Sequence, residues 1–203
     1  GSNNSAFGWL ALSANTTANN NTAVGYQAGY SNQTGTQNTF LGIQSGYSNT
    51  TNYNTFLGAY TGYSNTTGVA NAVVGGPNTA NATFYYNTTG SYNTVLGSGA
   101  LSANTTASNN TAVGYQAGYS STTGYQNVFV GRAAGKANTT GRVNAFFGDD
   151  TGTANTTGIY NTYIGQSAGY HMTTGSYNTI LGRYTGNQNG LDIRTSNNNI
   201  VLS

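Results

Sequence analysis

Residues able to carry out acid–base or metal chemistry are few in this 203-residue chain. It has three carboxylates, Asp149, Asp150 and Asp192, one histidine, His171, and no cysteine. A glycosidase needs two carboxyl groups about 5 to 10 Å apart in a cleft, whereas neighbouring residues such as Asp149 and Asp150 point apart on an extended backbone. A cation held by these carboxylates with help from backbone carbonyls is a weaker interpretation than solvated loop residues. The sequence therefore predicts that the protein is no enzyme and binds no metal or cofactor.

Low charge narrows the classes of partner. Only 4% of the residues are charged and the net charge is +2, against about 25% charged residues in an ordinary globular domain. Five cations are too few for a phosphate-binding surface, so nucleic acid is not an expected partner. No apolar run approaches the roughly 18 residues of a membrane span, and membrane insertion is not expected either. The 17 tyrosines and seven phenylalanines favour a packed structure over a disordered one.

A short repeated phrase predicts how the chain is organised. A phrase of Asn, a small residue, two apolar residues and Gly occurs eleven times, mostly at steps of 17 residues. It begins at Asn4, Asn21, Asn38, Asn54, Asn71, Asn93, Asn110, Asn127, Asn144, Asn161 and Asn178. Each phrase is β-prone and too short for a helix, and a fixed period of this size indicates stacked coils. We predict an all-β parallel solenoid with about 17 residues per coil over residues 1–186, and a non-repeat segment at 187–203.

The two apolar positions of the phrase must point to opposite faces of a strand. The second position is apolar in every copy (Phe7, Val24, Leu41, Leu57, Val74, Leu96, Val113, Val130, Phe147, Ile164 and Leu181) and is interpreted as the solenoid core. The first position is apolar too, and a strand that is apolar on both faces is expected to be buried on both. We therefore predict a homotrimer whose axis is lined by Phe40, Phe56, Phe129, Phe146 and Tyr163. The alternative is that this row faces the core, and that the second position merely tolerates apolar residues.

The remaining positions of the repeat are typical of corners. A glycine ends each strand, and Asn-Thr-Thr-Gly marks a second corner with local side-chain hydrogen bonds. The asparagine that opens each phrase is expected to stack on its equivalents along the fibre axis. The sequons at Asn15, Asn32, Asn49, Asn65, Asn87, Asn104, Asn138 and Asn155 are interpreted as this corner sequence rather than as glycosylation sites.

Candidate recognition residues occur where the copies differ. The position after the strand-ending glycine varies freely and is expected to form an exposed ladder in which Arg132 pairs with Asp149. An insertion within 75–92 contains an aromatic run, and insertions in solenoids often lie on a binding face. The predicted receptor-binding surface comprises Tyr26, Phe84, Tyr85, Tyr86, Tyr115, Arg132, Asp149 and Arg183. A tyrosine column (Tyr30, Tyr47, Tyr63, Tyr119 and Tyr170) is either a second binding surface or corner packing.

The phrases at Asn21–Gly29 and Asn110–Gly118 resemble the repeats of bacteriophage tail fibres and, more loosely, the head repeats of trimeric autotransporter adhesins. The resemblance extends from Asn3 to about Gly186, although autotransporter heads have a shorter coil. The stretch from Gly190 to Ser203 looks like the one that precedes the self-cleaving intramolecular chaperone of phage fibres. The resemblance implies a homotrimeric, extracellular fibre on a virion or a bacterial cell surface, with a shaft or receptor-binding role and no cofactor.

Two other functions remain open at this point. The threonine column (Thr22, Thr39, Thr55, Thr94, Thr111, Thr162 and Thr179) suggests a monomeric solenoid that binds ice or a polysaccharide surface. Ala72, Val128 and Ala145 interrupt that column, and its strand is predicted to be buried. The third possibility is a spacer shaft without a ligand. For the fibre, the expected partners are two further copies of the chain and a cell-surface glycan or protein receptor.

Overall fold

In a computed structural model, which describes residues 1–76 and 82–203, the chain winds into a parallel β-solenoid. Each coil contributes one three-residue strand, and the described part contains no helix. The strands are β1 Ser5–Phe7, β2 Thr22–Val24, β3 Thr39–Leu41, β4 Thr55–Leu57, β5 Ala72–Val74, β6 Thr94–Leu96, β7 Thr111–Val113, β8 Val128–Val130, β9 Ala145–Phe147, β10 Thr162–Ile164, β11 Thr179–Leu181, β12 Asn187–Gln188, β13 Leu191–Asp192 and β14 Ile200–Leu202. Residues 77–81, which belong to the predicted insertion, lie outside the described residues.

The strands pair in register along the whole molecule. Strands β1 to β11 follow one another in a single sheet, and β14 pairs with β11 as the twelfth strand. Every pairing within this sheet is parallel and joins equivalent positions, as where Thr22 faces Thr39. The predicted all-β parallel solenoid with about 17 residues per coil is confirmed. At the usual spacing of parallel strands, twelve strands span about 50 Å.

The core is lined by the first apolar position of each strand, so the predicted assignment of the two rows was wrong. Phe40, Phe56, Phe129, Phe146 and Tyr163 are fully buried inside a single chain. They cannot line a trimer axis, because their own coil already covers them. The second position faces outward instead, with Leu41 47% and Leu96 48% exposed. The alternative that the aromatic row faces the core is the correct one.

Glycines beside the strands make room for the aromatic rings. Gly46 has a φ of 59°, and a Cβ built on it would lie 2.4 Å from the Phe40 ring. Where the core position of a coil is alanine, a leucine fills the space that a phenylalanine ring fills elsewhere. This leucine belongs to the preceding coil, at the position that is glycine in most coils. Leu12 lies against Gly29, in the coil that contains Ala23. A large residue at one of the two core positions thus compensates for a small residue at the other, as the close packing of protein interiors requires.

The opening asparagines form the predicted ladder, and they do so inside the coil. The Asn21 Oδ1 accepts hydrogen bonds from the backbone N–H of Asn38 at 2.9 Å and from its side-chain amide at 3.0 Å. The Asn21 amide in turn donates to the carbonyl of Gly35 at 2.8 Å. The same pattern repeats down the axis as far as Asn199, whose backbone N–H donates to Asn178 at 2.9 Å. The predicted stacking is confirmed, and it satisfies buried polar groups in each coil.

A second asparagine ladder occupies the sequon corner. The amide of Asn65 donates to Asn49 at 2.7 Å, that of Asn87 to Asn65 at 2.7 Å, and that of Asn104 to Asn87 at 2.6 Å. All the sequon asparagines named above are fully buried except Asn15, which is half-buried. A buried amide nitrogen that already donates hydrogen bonds has no room for a glycan. The structure therefore supports the interpretation of these sequons as corner sequence.

Substituting Ser121 by asparagine is expected to raise the stability of the solenoid. Ser121 interrupts the second ladder, and its hydroxyl and the Asn104 Oδ1 are both buried without a hydrogen-bond partner. An asparagine amide at 121 would supply the missing donor, which is worth about 1 kcal/mol. We expect Ser121→Asn to raise the urea midpoint, while Ser120→Asn, on the neighbouring half-exposed residue, leaves it unchanged. A midpoint lowered by Ser121→Asn would show that the corner cannot accept the larger side chain.

Substituting Tyr163 by phenylalanine is expected to stabilise the chain as well. The Tyr163 ring stacks on Phe146 with the centroids 4.8 Å apart, and its hydroxyl is buried with no hydrogen bond of good geometry, although the Asn178 side chain lies close to it. Burial raises the pKa of this hydroxyl well above its usual value. Since equivalent positions hold phenylalanine, removing the hydroxyl should increase the free energy of unfolding by about 1 kcal/mol. Tyr160→Phe, at an exposed tyrosine, is the control and should change little; an equal effect of both substitutions would argue against this explanation.

The C-terminal segment leaves the coil and then returns to it. After β11 the chain forms an antiparallel hairpin, in which Asn187 pairs with Asp192 and Gln188 with Leu191. Strand β14 then rejoins the main sheet, with Val201 facing Ile180. The predicted repeat ends at 186, but an incomplete copy of the phrase, with Ser203 in place of glycine, begins at Asn199 after a step of 21 residues. That phrase was the available signal for the twelfth strand.

Candidate recognition surfaces

The outer face of the sheet carries an apolar column along its whole length. Its members are Phe7, Val24, Leu41, Leu57, Val74, Leu96, Val113, Val130, Phe147, Ile164, Leu181 and Leu202, here called the outer apolar column. Exposure reaches 78% at Phe7 and 72% at Leu202 at the two ends, and is 40% at Phe147 and 44% at Ile164 within the sheet. None of these residues is charged. At about 50 Å by roughly 7 Å, the column approaches the few hundred Å² beyond which soluble monomers rarely expose a contiguous apolar patch.

The threonine column lies beside the outer apolar column on the same face. Thr22 and Thr94 are exposed, and Thr39, Thr111 and Thr162 are half-buried. The prediction that this strand is buried on both faces was wrong for a single chain, because only the row inside the coil is covered. The outer face therefore presents hydroxyls and aliphatic groups side by side, in register from one coil to the next.

The ladder after the strand-ending glycine forms as predicted along the edge of this face. The Gln27 backbone N–H donates to the carbonyl of Trp9 at 2.9 Å, and equivalent bonds recur in later coils. Trp9 stacks on Tyr26 with the ring centroids 5.3 Å apart. Tyr26 is 44% and Tyr115 55% exposed, and Arg183 is also exposed. These three predicted receptor-binding residues are thus accessible, each in a different coil.

The predicted ion pair between Arg132 and Asp149 is confirmed. The Arg132 Nε lies 2.8 Å from the Asp149 Oδ1, and the same guanidinium contacts Asp150. The two carboxylates, expected to point apart, therefore converge on one cation. They raise the pKa of Arg132 through hydrogen bonding, and because the cluster is exposed its contribution to stability is small.

The aromatic run of the insertion divides between the core and the surface. Phe84 is fully buried, so its assignment to a receptor-binding surface was wrong. Its backbone has a φ of 55° and occupies the corner position that is glycine in most coils, which turns its ring inward. Tyr86 is 50% exposed and meets Tyr85 edge to face at 4.9 Å.

Tyr85, predicted to belong to the receptor-binding surface of the insertion, instead joins the tyrosine column of parallel rings. Its ring stacks on Tyr63 at 5.0 Å and 1°, Tyr63 on Tyr47 at 5.0 Å, and Tyr47 on Tyr30 at 5.0 Å. All four are half-buried. The five-residue insertion obscures the match between Tyr85 and Tyr63 in the sequence. Once the five residues are removed, the two tyrosines occupy the same position of the repeat. The stacking shows that these rings pack a corner and present their edges to solvent.

In the described part of the chain, no three His, Cys, Asp or Glu side chains are grouped closely enough to hold a metal ion. Among the same residues no helix is long and apolar enough to cross a membrane. In comparisons with protein-family models, curated proteins and solved structures, the chain has no match.

Proposed function

We propose that this protein is a structural and adhesive segment of an extracellular homotrimeric fibre. The observation that carries the proposal is the outer apolar column, an uncharged row that a single chain leaves exposed or only half-buried over twelve strands. Packing three such columns around one axis removes them from water and satisfies closed symmetry. The resemblance of the repeats to phage tail fibres and adhesin heads supports the same arrangement, on a virion or a bacterial surface.

Recognition in this fibre is assigned to the ladder after the strand-ending glycine. Trp9, Tyr26 and Tyr115 offer aromatic area that is accessible in one chain, and aromatic residues with a polar tip are favoured at binding surfaces. Tyr86 adds a further exposed ring near the insertion. The ligand class proposed for this surface is a cell-surface glycan or protein receptor, in keeping with the low net charge of the chain.

Light scattering tests the assembly. We expect a mass of about three times the 20.9 kDa of one chain. Leu96→Asp, which places a charge in the outer apolar column, should reduce the mass to that of a monomer, because burying an unpaired carboxylate is costly. Thr106→Asp, on an exposed corner residue, is the matched control and should remain trimeric. A wild-type chain that is monomeric at all concentrations would overturn the homotrimer.

A second candidate function uses the same face in a monomer. The exposed threonine and apolar columns form a regular, uncharged array that suits an ordered surface such as ice or a crystalline polysaccharide. Because a trimer would cover this array, the two functions predict opposite results. Thermal hysteresis by a monomeric chain, lost on Thr94→Asp, would support the second candidate. A monomer that shows no thermal hysteresis and does not bind an insoluble polysaccharide would be left as a spacer shaft.

A further inference from the structure

A cavity lies where the C-terminal hairpin folds back on the last coils. It has a volume of about 450 Å³ and is lined by Ala154, His171, Thr173, Asp192, Arg194 and Thr195. Two contacts hold the hairpin in place. The Tyr184 hydroxyl donates to the Leu191 carbonyl at 2.7 Å, and Ile193, 3% exposed, packs into the core. The cavity thus combines residues from the regular coils with residues from the segment that leaves them.

The lining concentrates polar chemistry that the rest of the chain lacks. The whole sequence has eight charged residues and one histidine, and three of these nine, His171, Asp192 and Arg194, meet here. The Arg194 Nε and Nη2 donate to the Asp192 carboxylate at 3.0 and 2.7 Å. The Arg194 backbone N–H donates to the same carboxylate at 3.1 Å. Both side chains are therefore held in one orientation.

Several donors and acceptors in the cavity remain available. The guanidinium lowers the pKa of Asp192, so the carboxylate is ionised at neutral pH and retains free lone pairs. Arg194 uses two of its five N–H groups on Asp192, which leaves three. The Thr195 hydroxyl has no hydrogen bond within the described chain. Beside them, the Tyr170 ring, 36% exposed, meets the His171 imidazole edge to face at 4.8 Å.

We propose that this cavity binds a hexopyranose unit of a glycan through Asp192, Arg194 and Thr195. Sugar hydroxyls both donate and accept, and therefore match a fixed carboxylate beside a fixed guanidinium. Because the ion pair is neutral as a whole, it selects neither a phosphate nor a cation. The volume lies within the usual range of about 300 to 1,000 Å³ for small-molecule sites. The inference rests on the adhesive role proposed above, narrows the ligand to a hexopyranose and adds a second binding place to the exposed ladder.

Saturation-transfer NMR with a panel of methyl glycosides tests the cavity. The probes are methyl α-D-glucopyranoside, -galactopyranoside and -mannopyranoside and methyl N-acetyl-β-D-glucosaminide. We expect at least one to bind with a millimolar Kd, and Thr195→Val to weaken it about tenfold through loss of one hydrogen bond. Arg194→Ala should abolish detectable binding. Arg142→Ala removes a cation elsewhere on the solenoid and should leave the Kd unchanged.

Two results would overturn the assignment. One is that no glycoside binds, or that Thr195→Val and Arg194→Ala both bind like the wild type. The other is that inorganic phosphate competes as strongly as the glycoside, since the cavity would then be an anion site. None of the cavity variants alters the outer apolar column, so the mass from light scattering should stay the same in each. Failure of the sugar site is therefore distinguishable from failure of the fibre assembly.

Discussion

Phe129→Ala is expected to destabilise the solenoid by about 3 to 5 kcal/mol, the usual cost of removing a buried aromatic side chain. The Phe129 ring is fully buried and lies 5.6 Å from the Phe146 ring, centroid to centroid. It also packs on Gly118 and Gly135, where a Cβ would come within 2.6 and 2.4 Å of it. Glycines cannot fill the space that the ring leaves, so the cavity would persist and the full cost should be felt.

The matched control is Val130→Ala at the next residue of the same strand. Val130 belongs to the outer apolar column and is half-buried in a single chain, so in the monomeric Leu96→Asp background its truncation should cost less than about 1 kcal/mol. Urea titrations followed by circular dichroism would compare the two midpoints. Because stacked repeats need not unfold in one step, the midpoint of the steepest transition is the quantity to compare. If Val130→Ala were the more damaging substitution, the core assignment of the two rows would be contradicted.

Asn127→Ala is expected to cost about 2 to 4 kcal/mol, which is more than an ordinary polar-to-alanine change. The Asn127 Oδ1 accepts from the backbone N–H and the side-chain amide of Asn144 at 3.0 and 3.2 Å. Its amide donates to the Gly141 carbonyl at 2.9 Å. Alanine would leave the N–H of Asn144 buried without a partner, whereas the Gly141 carbonyl would keep its hydrogen bond from the Asn138 amide at 3.0 Å. An unsatisfied buried group costs about 1 to 3 kcal/mol, and the lost hydrogen bond to Gly141 adds about 1 kcal/mol.

Two further substitutions separate hydrogen bonding from size. Asn127→Asp keeps the volume but replaces the donor by a carboxylate whose pKa is raised by burial. The free energy of unfolding of this variant should therefore be highest below the unfolded pKa of about 3.9, where the carboxyl group is protonated in both states. It should fall as the pH rises from there to the folded pKa. Gln126→Asn, at an exposed position with a φ of 56°, should be tolerated. A stability of Asn127→Asp that does not change between pH 3 and pH 7 would contradict the buried ladder.

The sequence alone contains a reason to place the aromatic row inside the coil and the other apolar row outside. Asn38 and Phe40 stand two residues apart and so share a face of the strand, as Thr39 and Leu41 share the other. An asparagine ladder inside the coil therefore requires the aromatic row inside as well. The sequence prediction instead assumed that both rows are buried. It placed the aromatic row against other chains of a trimer, which a single chain does not contain, and so overlooked that the asparagines and the aromatic residues share one face.

The sequence by itself determined the coil length, the strand in each coil, the asparagine ladder and the ion pair between Arg132 and Asp149. All of these follow from a short period, because equivalent residues in a parallel solenoid lie directly above one another. Only the tertiary structure decided that Phe84 turns inward, that Tyr85 joins the tyrosine column, and that His171 meets Asp192 and Arg194 at a cavity. Apart from His171, these residues lie where the period is broken, and there the path of the backbone depends on how neighbouring coils pack rather than on spacing along the chain.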